Sequence, residues 1–234
     1  MENKQTHRYI ARFVVEAQTP LYVGSGEASL LKDAVVFKDV NGFPMIPGTS
    51  LAGVLRHSLK NSYSKINWNT IFGDTDTSGN ASRIKVSSAL MMLDESKCAE
   101  GILDESLIDK STLFRYGNLP SRQHVSINDK GVAKKNGLFD NEIVYKGTRF
   151  VFEIELRGDQ SDLSSWDEIV ALILSPTFRL GSGTRNGYGS LKAIKIYNKV
   201  FNLVDINEFI DYINLDPSFN AEINWKVPSE IKLT

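Results

Sequence analysis

The chain has 234 residues, of which 41% are hydrophobic and 24% are charged, and its formal net charge is −1. This composition is ordinary for a folded globular domain and excludes a disordered chain or a disulfide scaffold. The single cysteine, Cys98, can form no internal disulfide, and no apolar stretch is typical of a signal peptide or a membrane span. We therefore expect a cytoplasmic protein with no membrane partner.

The first third of the sequence predicts a strand at residues 8–16, followed by a glycine-bearing loop between two short apolar runs. A helix is predicted next, beginning just after Gly48 with Thr49 or Ser50 as its N-cap. Its apolar residues recur at helical spacing, so we expect one face of this helix to be buried.

The middle of the sequence has a polar loop at residues 73–83, a strand in KVSSALMML and an irregular excursion from about 94 to 148. The excursion contains a predicted β-hairpin, RQHVSINDKGVAKK, which turns near Asp129 to Gly131. Insertions of this length in a compact domain are usually functional or disordered.

The last third predicts a strand in TRFVFEIEL, a helix at residues 162–174 with a serine cap, a second glycine loop and a strand in SLKAIKIY. One side of the first of these strands carries Phe150, Phe152, Ile154 and Leu156. The whole order predicts an α+β, ferredoxin-like (RRM-like) βαββαβ core at residues 1–200 with insertions at about 73–148. Residues 201–234 form an extension, for which we predict a helix that packs on the same domain or on a neighbouring subunit.

Charge is segregated along the sequence although its sum is close to zero. Residues 48–65 carry three basic side chains and residues 178–199 carry five, and neither segment contains an acid. Residues 94–109 have six acids and one base, and residues 201–225 have five acids and no base. Basic segments that converge in the fold would favour a polyanion such as RNA. The alternative is chance clustering on solvated surfaces.

The second glycine loop, RLGSGTRNGYGSLK, has four glycines within nine residues and no acid. Dinucleotide-binding and P-loop motifs place such a loop between a strand and a helix, whereas this loop follows a helix and opens a strand. We expect its backbone amides to be available to phosphate oxygens. We also expect it to line one groove with the first glycine loop and the start of the first helix. Alternatively, the glycines only turn a corner over the sheet.

Several phrases in order along the chain resemble the RAMP superfamily of CRISPR-associated proteins, and more closely the repeated backbone subunit of type III effector complexes. These phrases are PLYVGSGEASLLKDAVV, IPGTSLAGVLRHSL, IFGD, RQHVSINDKGVAKKNGLFDNE, YKGTRFVFEIEL and RLGSGTRNGYGSLK. They extend from about residue 8 to residue 197. Their combination is more specific than any one of them.

The resemblance implies a ferredoxin-like core with a thumb-like hairpin, stacked head to tail with other copies of itself along CRISPR guide RNA and joined by other type III subunits. It also implies that an aspartate in the loop after the first strand cuts the target RNA at regular intervals. Asp33 occupies that position, as a catalytic residue and as a ligand of a transient divalent metal ion, Mg²⁺ or Mn²⁺. Asp39, beside a turn, is the nearest alternative acid.

The resemblance and the two glycine loops together predict a set of RNA-binding residues. The set comprises Gly24, Ser25, Gly26, Gly48, Thr49, Ser50, Arg56, Lys60, Arg122, His124, Gly181, Gly183, Arg185, Gly187, Tyr188, Gly189 and Lys192. In the second glycine loop, Arg185 and Lys192 are expected on phosphates, and Tyr188 is expected to stack or to pack.

Three other functions stay open at this point. One alternative is a non-cleaving RAMP subunit that binds or caps guide RNA, and another is a guide-processing endoribonuclease that uses His57 as its general base. A purely structural subunit without RNA contacts is the third.

Overall fold

Alternating apolar residues form the strands of this chain, and apolar residues at helical spacing form its helices. The computed structural model describes residues 5–26, 34–62, 65–74, 79 and 81–231. The strands are β1 (His7–Ala17), β2 (Ile84–Val86), β3 (Leu90–Met91), β4 (Ser121–Ile127), β5 (Ala133–Glu142), β6 (Arg149–Gly158) and β7 (Leu191–Asn202). The α-helices are α1 (Gly48–Lys60), α2 (Asn69–Phe72), α3 (Lys110–Gly117), α4 (Leu163–Leu174) and α5 (Ile206–Ile213).

The main sheet has the order β2-β6-β1-β7, with β3 pairing farther along β6. All its pairings are antiparallel, and β1 lies between β6 and β7. Along the chain, β1, α1, β2, β6, α4 and β7 follow one another as β, α, β, β, α, β. The predicted ferredoxin-like core is therefore confirmed. Strands β4 and β5 form a separate two-stranded hairpin, as the turn residues near Asp129 predict.

The hydrophobic core lies between one face of the main sheet and the helices α1 and α4. The four predicted inward residues of β6 are fully buried there, and Phe152 stacks on Phe13 of β1 with ring centroids 5.3 Å apart. Helix α1 contributes Leu51, Leu55 and Leu59, and α4 contributes Trp166. The alternation of each strand thus decides which side chains enter this layer.

The opposite face of the sheet is covered by residues 215–231, which we call the C-terminal strap. Phe219 and Trp225 of the strap pack on a second apolar cluster that includes Val14 and Cys98. The strap is also paired to β7 through the backbone of Lys226. The extension after residue 201 contains helix α5 and continues as a strap that packs on the sheet.

Both predicted helix caps are wrong. Helix α1 begins at Gly48 after Pro47 without any side-chain cap, because Gly48 packs tightly on the link after β2. A Cβ atom at Gly48 would lie 2.3 Å from the carbonyl oxygen of Val86. At α4 the serines do not cap, because Asp159 accepts from the amide of Ser161 and starts a short 3₁₀ turn that runs into the helix.

The strand predicted in KVSSALMML is divided into β2 and β3. Between them, the backbone of Ser87 and its hydroxyl both bond to Glu153 of β6, so the pairing continues in an irregular form. Among the described residues, no helix is long and apolar enough to cross a membrane.

Candidate nucleic-acid interface

The second glycine loop, residues 181–189, is a tight structure that precedes β7. All four of its glycines have positive φ, the backbone region that residues with a Cβ atom rarely adopt. Gly181 and Gly189 are also closely packed, since an added Cβ would lie 2.3 Å from the carbonyl oxygen of Tyr22 and 2.0 Å from that of Leu180. Two of the four glycines are thus required by contacts inside the protein.

Most of the loop's backbone amides donate hydrogen bonds inside the protein. The amide of Ser182 donates to the carbonyl of Tyr22 at 2.9 Å, and that of Gly189 donates to Pro20 at 2.9 Å. Within the loop, the amides of Asn186 and Tyr188 both donate to Gly183. The expectation of amides free for phosphate is therefore wrong for these positions, because the tight turn uses them.

The same bonds bring the two glycine loops together. Residues 20–22 lead directly into the first glycine loop, where Gly24 pairs with Val36 and the amide of Ser25 donates to Val35 at 3.0 Å. The predicted meeting of the two loops at one edge of the fold is therefore present in the structure.

The hairpin is fixed to the second glycine loop through Tyr188. The Tyr188 hydroxyl accepts from Nη1 of Arg122 at 3.1 Å and lies 3.5 Å from Nε2 of His124. His124 in turn stacks on Phe139, with centroids 5.3 Å apart and planes inclined by 16°. Tyr188 is only 6% exposed. It packs rather than offering a free face to RNA.

Two openings flank the second glycine loop. On the hairpin side lies a cavity of about 170 Å³, which we call the aromatic cavity. On the other side an open groove of about 380 Å³ separates the loop from α1, and we call it the cationic groove. The residues that line this groove are Gly53, Val54, His57, Ser58, Arg179, Gly181, Thr184 and Arg185.

The cationic groove has exposed positive side chains that nothing in the described part of the chain neutralises. Arg179 and Arg185 are exposed, and neither side chain forms an ion pair or hydrogen bond with a described residue. Within the described residues, the ring of His57 hydrogen-bonds to the side chain of Asn61, at 3.1 Å. Such cations can approach phosphate oxygens without first breaking an internal pair.

Comparison with known proteins agrees with this architecture. The model of the RAMP superfamily matches residues 14–192, which is most of the chain. The chain belongs to the RAMP superfamily. The match extends from β1 to the start of β7, so it includes both glycine loops and the hairpin.

Among solved structures, this RAMP chain is similar to a chain of the type III-B Cmr-beta complex bound to cognate target RNA. The identity is 15%, the TM-score is 0.58, and the likeness covers 79% of this chain and 96% of that one. A chain of Cmr-beta in the apo state gives 16% identity and a TM-score of 0.56 over the same shares. At this identity the likeness establishes a shared fold. No curated protein matches the chain.

Several predicted RNA-binding residues of the RAMP core lie away from the two openings. Arg56 donates to the carbonyl of Gly73 at 3.1 Å, and the helix start at residues 48–50 is not part of the groove lining. Lys192 faces the strap side of the sheet, opposite Glu16, because its neighbours Leu191 and Ala193 enter the core. Lys60 is exposed at the end of α1.

Asp33, the predicted catalytic and metal-binding residue, lies outside the described residues. The chain that follows it is fixed to the base of the hairpin. The amide of Ala34 donates to Asp140, and its carbonyl accepts from Glu142 at 2.9 Å. The buried Glu142 carboxylate also accepts from the amide of Val36 at 3.0 Å and pairs with Lys38 at 3.6 Å.

Glu142 is a buried residue next to the candidate site that the sequence analysis did not identify. It stands at the end of the phrase GLFDNE, one of the phrases that resemble the family. A charged residue at the end of a strand is normally expected to be exposed to solvent. The sequence does not show that the Glu142 side chain points inward and binds the segment after Asp33. The described part of the chain contains no group of three His, Cys, Asp or Glu residues arranged to hold a metal ion.

Proposed function

We propose that the chain is a guide-RNA-binding backbone subunit of a type III CRISPR interference complex. Several copies stack along CRISPR RNA together with other type III subunits, and each copy cleaves complementary target RNA with Asp33. Membership of the RAMP superfamily and the fold shared with chains of a type III-B complex support this proposal. The observation that carries it is the cationic groove beside the two joined glycine loops.

The groove argues for binding of the RNA backbone. Its free guanidinium groups, on Arg179 and Arg185, suit phosphate oxygens, which they can contact through two parallel hydrogen bonds. Contacts of this kind do not depend on base identity, as a subunit that binds guides of many sequences requires.

The anchoring of the segment after Asp33 argues for a fixed cutting position. Ala34, the residue after Asp33, is held by two residues of β5 at the base of the hairpin. In the proposed reaction the Asp33 carboxylate takes the proton of a ribose 2′-hydroxyl. The 2′-oxygen attacks the adjacent phosphorus, and the bond to the 5′-oxygen breaks. The products are a 2′,3′-cyclic phosphate and a 5′-hydroxyl that takes its proton from solvent.

The proposal also includes a transient Mg²⁺ or Mn²⁺ with Asp33 as its protein ligand. The described residues contain no group of three His, Cys, Asp or Glu that could hold such an ion. Such an ion would stabilise negative charge on the phosphate. Cleavage by the assembled complex should then stop when EDTA is added and resume with excess Mg²⁺.

The replacement Asp33→Asn tests the cleavage. We expect complexes assembled on guide RNA at normal yield, with cleavage of complementary target RNA slowed by about 10²–10⁴-fold, because the amide cannot accept the hydroxyl proton. Gel analysis of an end-labelled target would show loss of the regularly spaced products.

Asp39→Asn is the matched control. Asp39 accepts hydrogen bonds from the amides of Asn41 and Phe43 at 2.9 and 2.8 Å and so stabilises its own turn. This variant should keep the product ladder. An unchanged ladder in Asp33→Asn would contradict the assignment of cleavage to Asp33 and would assign the cut to another residue or to another subunit of the complex.

One observation favours a second candidate, a histidine-dependent endoribonuclease. His57 lies in the cationic groove with Arg179 and Arg185, where an imidazole base would be close to bound phosphate. This function predicts cleavage that survives EDTA and is lost in His57→Ala. The proposed function predicts the opposite result in both experiments.

A further inference from the structure

Helix α5 presents its apolar side to solvent. Four of its eight residues are large and apolar, and they recur at the spacing i, i+3, i+4 and i+7 that places side chains on one face of a helix. We call them the α5 stripe, and all four are exposed: Ile206, Phe209, Ile210 and Ile213. A surface helix normally turns such a face to the core, whereas none of the residues of α5 is buried. A continuous exposed apolar face is typical of an interaction site.

The other side of α5 is fixed to β7 by polar and aromatic contacts. The Glu208 carboxylate accepts from a backbone amide at the end of β7 at 2.6 Å. Asp211 pairs with Lys199 of β7 at 2.9 Å. The ring of Tyr212 packs edge to face on Phe201, with centroids 5.6 Å apart. These contacts hold the helix in one rotation, so the α5 stripe cannot turn inward without breaking them.

The surroundings of the α5 stripe are acidic. Residues 201–225 contain five acids and no base. Asp205, which caps the helix, and Asp216, which follows it, are both exposed. The charge of Lys199, which contacts the helix from β7, is already paired with Asp211. An acidic surface repels RNA and favours a partner that carries positive charge beside an apolar face.

The α5 stripe lies outside the part of the chain that matches the family. The RAMP match ends at residue 192, whereas α5 begins at Ile206. The stripe is also far from the second glycine loop, because the loop precedes β7 and α5 follows it. The 12 residues of β7 span about 40 Å at the usual rise of a strand. A partner on α5 can therefore bind without covering the cationic groove.

Shape and charge together select the occupant of the stripe. Apolar residues at i, i+3, i+4 and i+7 are the pattern with which one helix packs its side chains between those of another. Direct pairing of α5 with the α5 of a second copy is unfavourable, because it would bring the acids of both helices together. A helix whose apolar side is flanked by basic residues satisfies both conditions.

We propose that the α5 stripe binds an amphipathic helix of a different protein, in which lysines or arginines flank the apolar side. The apolar side chains of the two helices interdigitate, and the basic flanks lie beside Asp205 and Asp216. The site does not depend on the proposed RNA binding. It gives each copy of the chain a protein-binding surface at the end of β7 away from the glycine loop.

The test uses the full chain and a fluorescently labelled synthetic helix, with leucines at heptad positions a and d and lysines at e and g. The control peptide carries glutamates in place of the lysines. We expect the lysine peptide to bind at least about tenfold more tightly, measured by fluorescence anisotropy, because it complements the acids around α5. Added salt should weaken this binding, since exposed charges are screened.

Substitutions to serine separate the stripe from other exposed apolar residues. Ile210→Ser should weaken binding of the lysine peptide by at least about tenfold, because Ile210 lies in the middle of the stripe. The matched control is Ile102→Ser, since Ile102 is 88% exposed outside α5, and this variant should bind the peptide as the unaltered chain does. Ile210→Ser should also keep the RNA affinity of the unaltered chain.

Equal binding of the two peptides, no binding of the lysine peptide, or full binding by Ile210→Ser overturns the partner site. The competing occupant is a second copy, whose hairpin exposes Val125, Ile127 and Leu138. If the chain self-associates without RNA in analytical ultracentrifugation and Ile210→Ser abolishes this, the stripe belongs to a second copy and the proposal is wrong. Failure of the unaltered chain to bind RNA contradicts the proposed function alone. If Ile210→Ser does not fold, Ile213→Ser at the exposed end of the stripe gives the same test.

Discussion

The face of the sheet under the C-terminal strap and the end of the fold at the second glycine loop both carry arginine and lysine, but they differ in how these charges are paired. Under the strap, Arg12 is 1% exposed and bonds to Glu153 at 2.7 Å. Arg149 pairs with Glu16 in the same layer. At the glycine loop, Arg179 and Arg185 are exposed and have no partner among the described residues. Of these four arginines, the two at the second glycine loop are the ones whose charge no described residue neutralises.

This difference shows that the number of basic residues in a segment does not predict where RNA binds. The basic segment 178–199 is divided between the two surfaces. Lys195 pairs with Glu95 at 3.6 Å and Lys199 pairs with Asp211 at 2.9 Å, so two of its five cations are neutralised by the acidic segments. The segregation of charge along the sequence partly disappears in the fold.

The strap also covers the sheet face on which RRM domains bind RNA. RRM domains stack bases on aromatic side chains of the exposed sheet face. Here the strap covers that face, and Arg12 holds it by donating to the carbonyls of Asp216 and Ser218 at 2.6 and 3.1 Å. The proposed interface therefore lies at the edge of the sheet, where the loops meet.

The largest expected effect comes from removing the buried guanidinium in Arg12→Ala. The Glu153 carboxylate and two strap carbonyls would lose their partner, and breaking a buried pair of this kind costs about 3–5 kcal/mol of unfolding free energy. Urea denaturation followed by circular dichroism measures it. Arg185→Ala removes the same group from the open surface and should change stability by less than about 0.5 kcal/mol.

For RNA binding, we expect the larger effect from Arg185→Ala and the smaller one from Arg12→Ala. Arg185→Ala should lower the slope of log affinity against log salt by about 0.7, the value for one phosphate contact on a single strand. Folded Arg12→Ala should keep the slope. Equal losses of stability in the two variants would contradict the structural difference between the paired Arg12 under the strap and the exposed Arg185 at the glycine loop.

A smaller effect is expected within the glycine loop, from a comparison of Gly189→Ala with Gly187→Ala. Both glycines have positive φ, at 75° and 85°, so each substitution costs about 1–2 kcal/mol of backbone strain. At Gly187 the added Cβ meets open space, whereas at Gly189 it would contact Leu180 and add about 1–3 kcal/mol of overpacking. Thermal unfolding of the two variants measures the difference.

Gly187→Ala should also keep its RNA affinity once it is folded. The alternative interpretation of the loop, that its glycines only turn a corner, would gain support if both substitutions left binding unchanged. A larger loss of stability at Gly187 than at Gly189 would contradict the packing described for the loop.

The sequence predicts the core of this protein well because the core depends on alternation, which is local. The inward residues of β6 and the order of strands and helices follow from periodicity alone. The uncapped start of α1 could not be predicted, since it depends on the packing of Gly48 on Val86 of a different element. The start at Asp159 is a local signal that the sequence analysis missed. Charge pairing was missed because Lys195 and Glu95 are 100 residues apart.

The site was predicted in part. The meeting of the two glycine loops follows from motif and composition. The RNA-binding roles of Arg185 and His124 stay predictions, although both residues line the openings beside the second loop. The buried position of Tyr188 and the inward turn of Glu142 depend on how the hairpin packs, which no local pattern encodes. Asp33 stays a prediction, because it lies outside the described residues.

The smallest expected effect is a local opening of the strap, which the thiol of Cys98 can report. This side chain is 2% exposed in the cluster beneath Phe219, and burial raises the pKa of its thiol to about 12. At pH 8 the native thiol should therefore react very slowly with a disulfide reagent, because only the thiolate is nucleophilic. Phe219→Ala removes part of the cover and should speed the reaction at least about tenfold, the equivalent of roughly 1.4 kcal/mol in the opening equilibrium.

Phe114→Ala is the matched control for this measurement, because Phe114 is 76% exposed on α3 and belongs to neither apolar cluster. It should leave the reaction rate of Cys98 unchanged.

Because the strap and the glycine loop are separate surfaces, Phe219→Ala should also leave RNA affinity within about twofold of the unaltered chain. The effects of substitutions at distant, independent sites add without coupling. A parallel loss of RNA binding and of thiol protection in Phe219→Ala would mean that the two surfaces are coupled, and that the strap contributes to the interface it does not touch.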